Sequence, residues 1–375
     1  MLSEIIINNF RGISECRLEN LKRINIFIGR NNQGKSSILE ALYLASAAFN
    51  QSEPTSGKDK MYSLLNRRSA RGINWNNGGE TLWYKYDTSL PIKISCRWEN
   101  DSPVKVLLKY NHPHPLISAP ESTSARLENI LTTYSAAGPL SSAGVCLIEN
   151  LVVTSTISIR TGENIINEII KNPFSNFPQI EQAMKNMVFI DVGLLHEIKE
   201  VEKTLWSKLV RERNDKLITT LLREGYEIQV EDLTYVPIAN EFQLAVKLPA
   251  TTVRVDDLGD GSRYSTIWFM AAALAKDTVI LLEEPETHQH PAGLVKSLEL
   301  LLSLVQKNNL QIFATTHSLD FLKLIEALAK KEKIDIAIYF VEMKDDGKIE
   351  KRLVSSSDSE NLRKLGFDMR FLDIL

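Results

Sequence analysis

A chain of 375 residues with 43% hydrophobic and 24% charged residues has room for two or three domains and is too apolar to be disordered. Lys and Arg total 44 against 47 Asp and Glu, a formal net charge of −3, which excludes a strongly basic nucleic-acid or membrane-surface protein at whole-chain level and leaves any such surface local. Three cysteines, Cys16, Cys96 and Cys146, form no C-x-x-C pair, which excludes a disulfide scaffold, a zinc finger and a redox dithiol.

The N-terminus has no basic stretch leading into an apolar run and a cleavage site, and no segment approaches the ~18 apolar residues a spanning helix needs. The expectation is a cytoplasmic protein with no membrane contact. Residues 4–10 are β-branched and read as a strand, broken by Arg11-Gly12, and residues 24–28 form a second strand ending at Gly29. Ile38, Leu39, Leu42 and Ala45 give helical spacing over 36–48. Three alternating bursts, 82–86, 92–96 and 104–108, predict an antiparallel meander. Residues 113–145 are rich in Pro, Ser, Ala and Gly and read as a loop, whereas 194–222 carry Leu205, Leu209, Leu217 and Leu221 at helical spacing. Strands follow at 242–248 and 253–255. An apolar helix over 264–274, a strand over 278–282, a helix over 291–305, a strand over 310–314 and a helix over 319–329 complete the reading. Strands alternating with helices predict a mostly parallel sheet covered on both faces.

Four constellations carry chemistry. Gly29-Arg30-Asn31-Asn32-Gln33-Gly34-Lys35-Ser36 fits G-x-x-x-x-G-K-[ST] between a strand and a helix. Backbone N–H groups of this loop would close around phosphates with Ser37 in the first helical turn, Lys35 would reach the β- and γ-phosphates, and Ser36 would ligate Mg2+. Glu283 and Glu284 end an apolar strand, where Glu283 would hold Mg2+ and Glu284 would polarise the attacking water. His317 follows another apolar strand and could hydrogen-bond a γ-phosphate. Gly259, Asp260, Gly261 and Ser262 open an apolar helix, either as an anion-binding N-terminus or as a capped turn. Glu286, His288 and His290 could form a metal cluster, but their spacing on a turn fits a loop after the paired acids better. His112 and His114 read as an exposed loop. Lys58, Lys60, Arg67, Arg68 and Arg71 form one local basic patch, read equally as a solvated loop or a nucleic-acid contact.

In this order the motifs resemble those of ABC-type ATPases of the RecF, OLD and structural-maintenance-of-chromosomes (SMC) group. Asn8-Asn-Phe-Arg-Gly12 looks like that group's opening strand motif, Gly29 to Ser36 like its Walker A, and Leu258 to Arg263 like its signature loop. Glu283 to Pro291 is similar to its Walker B and D-loop in the OLD-like branch, and His317 matches its switch histidine. The resemblance implies an α/β P-loop fold with an ABC-type head, made of residues 1–112 and 235–375, and an inserted, mainly helical lobe over 113–234. It also implies ATP and Mg2+ as cofactors and an ATP-dependent homodimer in which the signature loop of one head completes the site of the other. Catalytic roles fall to Glu284 and His317.

Two residues depart from the family pattern. Glu283 replaces the usual Walker B aspartate, and Asp260 stands in a signature loop that lacks the usual serine, which points to slow hydrolysis or a different dimer geometry. The family's Q-loop glutamine has no match. The stretch after His317 is too short for the nuclease domain fused in OLD proteins, and the expectation is that a nuclease or effector comes from a partner. Three functions follow: a DNA-associated ATPase in repair or phage defence, a nucleotide-gated scaffold for a protein effector or toxin, and a transporter ATPase subunit, which the signature loop and the large insert disfavour.

Overall fold

The computed structural model describes residues 1–68, 78–99, 103–108, 110, 144–148, 151–155, 178–196, 198–238 and 241–354. His112, His114, Arg71 and nearly all of the loop expected over 113–145 lie outside these residues. The expected α/β class is observed, built on two six-stranded sheets and one small sheet.

The first sheet is antiparallel. It begins with a hairpin of β1 (Leu2–Phe10) and β2 (Ile13–Glu19), closed by Arg11 in the left-handed region at φ 54°. The sequence reading stopped at Arg11-Gly12 and did not see β2. β1 then pairs with β4 (Ile92–Trp98), followed outward by β5 (Val104–Leu108), β6 (Gly144–Ile148) and β7 (Leu151–Ser155). Residues 82–86, expected as the meander's first strand, instead form short 3-10 turns with Lys85 and Tyr86 at positive φ. Trp83 explains the apolar burst there. It is buried, touches Phe10 by a lone bridge and donates its indole N–H to the Leu90 carbonyl at 2.8 Å.

The second sheet is the one that positions the site. β3 (Ile24–Ile28) lies between β14 (Ile336–Met343) and β13 (Gln311–Thr315), then come β12 (Val279–Glu283) and β8 (Val188–Ile190), all parallel, with β15 (Ile349–Val354) antiparallel on the outer edge. Its central strands are apolar on both faces because both are covered. On one face lies α1 (Lys35–Ala47), which is buried almost all round because the antiparallel sheet packs on its other side. On the other face lie α6 (Asp260–Leu274), α7 (Pro291–Lys307) and α8 (Leu319–Lys331).

The span 113–234 supplies α3 (Pro178–Lys185), α4 (Ile198–Arg211) and α5 (Asp215–Gly225), and it also supplies β8 to the parallel sheet. The helical spacing read over 194–222 is thus carried by two helices, parted at Arg213, which has φ 61°. β9 (Asp232–Ile238), β10 (Glu241–Lys247) and β11 (Thr252–Arg254) make the small antiparallel sheet. Among the described residues, no helix is long and apolar enough to cross a membrane.

Candidate active site

Parallel strands deliver their carboxyl ends to one edge, and the candidate residues lie along it. Residues 29–34 follow β3, His317 follows β13, Glu283 and Glu284 end β12, and Asp191 follows β8. The 29–34 loop is held from behind by β14. A Cβ on Gly29, whose φ is 139°, would meet the Val341 carbonyl oxygen at 2.4 Å, so only glycine lets these two backbones approach. Gln33 Oε1 accepts the Met343 N–H at 2.6 Å, fixing the loop's far side to the same strand. Ser37 turns away from the loop and accepts a hydrogen bond from Arg68 at 3.1 Å.

Lys35 is buried at 5% exposure, and its ammonium donates to the carbonyl oxygens of Gly29 at 2.9 Å and Arg30 at 2.7 Å. Burial pushes its pKa down to about 8, partly opposed by the charge of Glu284. A buried ammonium held by two carbonyl groups has the chemistry to gain strongly from a phosphate oxygen.

Glu283 makes a contact that the sequence did not announce. Arg67, just beyond α2 (Lys60–Asn66), pairs with Glu283 Oε2 at 2.5 Å and with Asp191 Oδ2 at 2.5 Å, and its guanidinium lies 3.5 Å over the Phe189 ring. Glu40 of α1 adds a third carboxylate 3.8 Å from Arg67 Nε, and Arg11 and Arg68 flank it at 3.1 Å and 2.9 Å. Arg67 is therefore turned inward. Lys60 is also buried, donating to Ser46 Oγ at 2.9 Å beside Glu53. This corrects the reading of Lys60 and Arg67 as part of a basic surface patch, whereas the Arg68 side chain is 45% exposed. Ser36 Oγ makes no hydrogen bond among the described residues, and Glu283 Oε1 lies opposite the oxygen that Arg67 engages. Both are hard oxygen donors and fit Mg2+. Bound there, the ion would supply positive charge to the phosphates.

Glu284 sits in the left-handed region at φ 45°, with its N–H donated to the Thr315 carbonyl at 3.1 Å. That turn carries its carboxylate to 3.6 Å from His317 Nε2, so the two expected catalytic side chains do meet. Glu286, which the sequence places in the loop after the paired acids or, less well, in a metal cluster, ties the same turn to the turn after β13 through Thr316. His290 caps α7, accepting the Ala292 N–H at 3.3 Å, and among the described residues no cluster of three or more His, Cys, Asp or Glu could hold a metal. This agrees with reading 286–290 as a loop.

The glycine-rich loop opens α6. Gly259 is the N-cap with open space around it, while a Cβ on Gly261 would meet the His288 carbonyl oxygen at 2.5 Å. Ser262 Oγ is committed to the Gly259 carbonyl at 2.9 Å, and Asp260 is 65% exposed and paired with Arg263 at 3.3 Å. The loop is thus built against the turn that follows the paired acids. The sequence reading gives Asp191 no role and sets Arg67 in the basic patch and Glu286 in the loop after the paired acids. For the first two the available signals were the strand-like Val188-Phe-Ile190 ending in an acid and an arginine in a run read as exposed.

The chain matches the AAA ATPase domain over residues 1–136 and 149–322. An ATP/GTP phosphatase of Helicobacter pylori is 21% identical over 350 residues, which covers 88% of this chain and 89% of that protein. The DNA replication and repair protein RecF of Clostridium kluyveri is 41% identical over 69 residues, 18% of this chain and 15% of that protein. A crystal structure of an SMC head bound to the C-winged helix domain of ScpA covers 96% of this chain and 99% of its own at a TM-score of 0.55 and 12% identity, a likeness of fold. Because the match runs from the first strand past His317 and through both halves of the site, the chain belongs to the AAA ATPase domain family, on the ABC-type head fold of RecF- and SMC-like ATPases.

Proposed function

We propose that this chain binds ATP with Mg2+, closes as a homodimer around it and hydrolyses it. The observation that carries this reading is the single sheet edge on which Lys35, Glu284 and His317 converge, with the Glu284 charge felt at Lys35 and the imidazole 3.6 Å from Glu284. In the proposed reaction Lys35 and the loop N–H groups hold the phosphates, Glu284 takes a proton from the attacking water, and His317 hydrogen-bonds the γ-phosphate oxygens. The phosphatase name of the Helicobacter pylori relative supports hydrolysis. DNA is the proposed target, in repair or phage defence with a partner nuclease or effector, supported by the RecF match and by the partner protein on the SMC head. A nucleotide-gated scaffold is the second reading, favoured by Asp260 at the α6 N-terminus and by Arg67 on Glu283.

Lys35→Ala is expected to abolish nucleotide binding in calorimetry and with it the ATPase rate. Retained affinity would sink the phosphate-loop assignment. A wild-type rate indifferent to DNA, with no DNA retained at low salt, would leave the scaffold reading in place.

A further inference from the structure

Glu286 lies two residues beyond Glu284, on the turn between β12 and α7, and its carboxylate reaches across to the turn after β13. Its Oε1 accepts the Thr316 hydroxyl at 2.6 Å and the backbone N–H of His317 at 3.3 Å. Thr316 Oγ1 in turn accepts the Ser318 N–H at 2.9 Å, and Ser318 caps α8. One carboxylate oxygen therefore organises the whole of the short turn that carries the His317 side chain. These two turns also share the bond from the Glu284 N–H to Thr315, at 3.1 Å to its carbonyl and 3.4 Å to its hydroxyl, and the approach of His317 Nε2 to Glu284 at 3.6 Å. The His317 side chain is about one third exposed, so the backbone of its turn contributes to its aim.

Glu286 also pays more than a scaffold requires. Its Oε2 is buried without a partner among the described residues, and burial pushes its carboxyl up from the usual carboxylate range. A neutral side chain could fill the same space without that cost, and such features gather where geometry serves chemistry.

We infer that Glu286 is a positioning residue for the switch histidine, holding the Thr316–His317 turn so that the imidazole faces Glu284. The inference rests on the hydrolytic reading of the site. Its hydrogen bonds come from acceptor geometry, so a glutamine at 286 retains them through its amide oxygen and an alanine does not. The phosphate loop does not touch Glu286, so nucleotide affinity is set elsewhere.

The test pairs hydrogen-deuterium exchange over residues 311–320 with steady-state ATP turnover, in wild type, Glu286→Ala and Glu286→Gln. Glu286→Ala is expected to speed exchange at 316–318 and to lower kcat on the order of 10- to 100-fold at unchanged KM, a loss of orientation in the transition state. Glu286→Gln is expected to restore both to within about threefold of wild type. Wild-type exchange and kcat in Glu286→Ala would overturn the inference, as would an equal loss in both variants or a loss confined to nucleotide affinity. If the wild-type chain turns over no ATP, the hydrolytic reading falls, and the exchange comparison alone decides whether Glu286 holds the turn.

Discussion

Arg67 sits among Glu40, Asp191 and Glu283, with the Phe189 ring against its guanidinium plane. Its side chain is 12% exposed, and those of Asp191 and Glu283 are 17% and 24% exposed, so these pairs are poorly screened. Removing the guanidinium would leave like charges facing one another at the sheet edge. Arg67→Ala is therefore expected to lower unfolding stability on the order of 3 kcal/mol, read as a fall in the urea midpoint at constant slope. Lysine at this position cannot span two carboxylates and stack on an aromatic ring at once, so Arg67→Lys should recover only part of that loss. An alanine variant with the wild-type midpoint would show that the cluster is solvated and contributes nothing. The same neighbourhood explains why the burial of Arg67 was not legible: its carboxylate partners come from α1, β12 and the end of β8, which no local window of sequence brings together.

At the scale of elements, α4 meets the small sheet through Glu202, a residue 9% exposed whose Oε2 accepts the Leu244 N–H at 3.3 Å. Burial lifts its carboxyl to about 7, the hydrogen bond opposes this, and Asp256 adds to the rise. A folded-state value above the unfolded one means that the native chain holds a proton the unfolded chain releases. Stability from this group is full below the ordinary carboxylate range and is lost as pH rises through about 7. The displacement corresponds to roughly 3 kcal/mol. Glu202→Gln, neutral at every pH, should flatten the rise in stability on acidification from pH 8 to 5 and should have the higher Tm at pH 8. Parallel Tm curves for the two proteins would refute it. Which elements could be read from sequence follows from the same physics. β12, β13, α7 and α8 were legible because buried parallel strands are continuous apolar runs followed by helical spacing. β2 was not, because its buried positions 13, 16 and 18 break period two, and β9 was not, because it buries only Leu233 and contains Pro237. β14 is apolar enough, yet its partner β3 lies at the other end of the chain, and no motif flags the pairing. The positions of the G-x-x-x-x-G-K-S loop, the paired acids and His317 were legible because each comes at or just after the end of an apolar strand. Arg67, Asp191 and Glu286 depend on contacts between edges and turns, which spacing does not encode.

For the whole molecule, the two sheets and the layer of α1 between them leave the carboxyl edge of the parallel sheet and the N-terminus of α6 as separate features of one head. A Cβ on Gly259 would meet nothing within 4 Å, and Asp260 is 65% exposed, so the first turn of α6 is open to a second molecule. In the proposed dimer that turn would face the partner's phosphates, where its N–H groups attract and Asp260 repels. Arg263, 3.3 Å from Asp260, offsets part of that repulsion. Two variants separate these effects. Glu284→Gln keeps the shape of the side chain but cannot accept the proton from water, so ATP should persist and the mass from light scattering should double when ATP is added. Asp260→Ser removes the opposing charge and should raise the dimer fraction at a given ATP concentration in the otherwise wild-type chain, most clearly at low salt, where exposed charges are least screened. The combined variant should then dimerise at the lowest ATP concentration of the three. A monomer at every ATP concentration in the combined variant, with nucleotide bound in calorimetry, would show that this head closes on something other than its own copy.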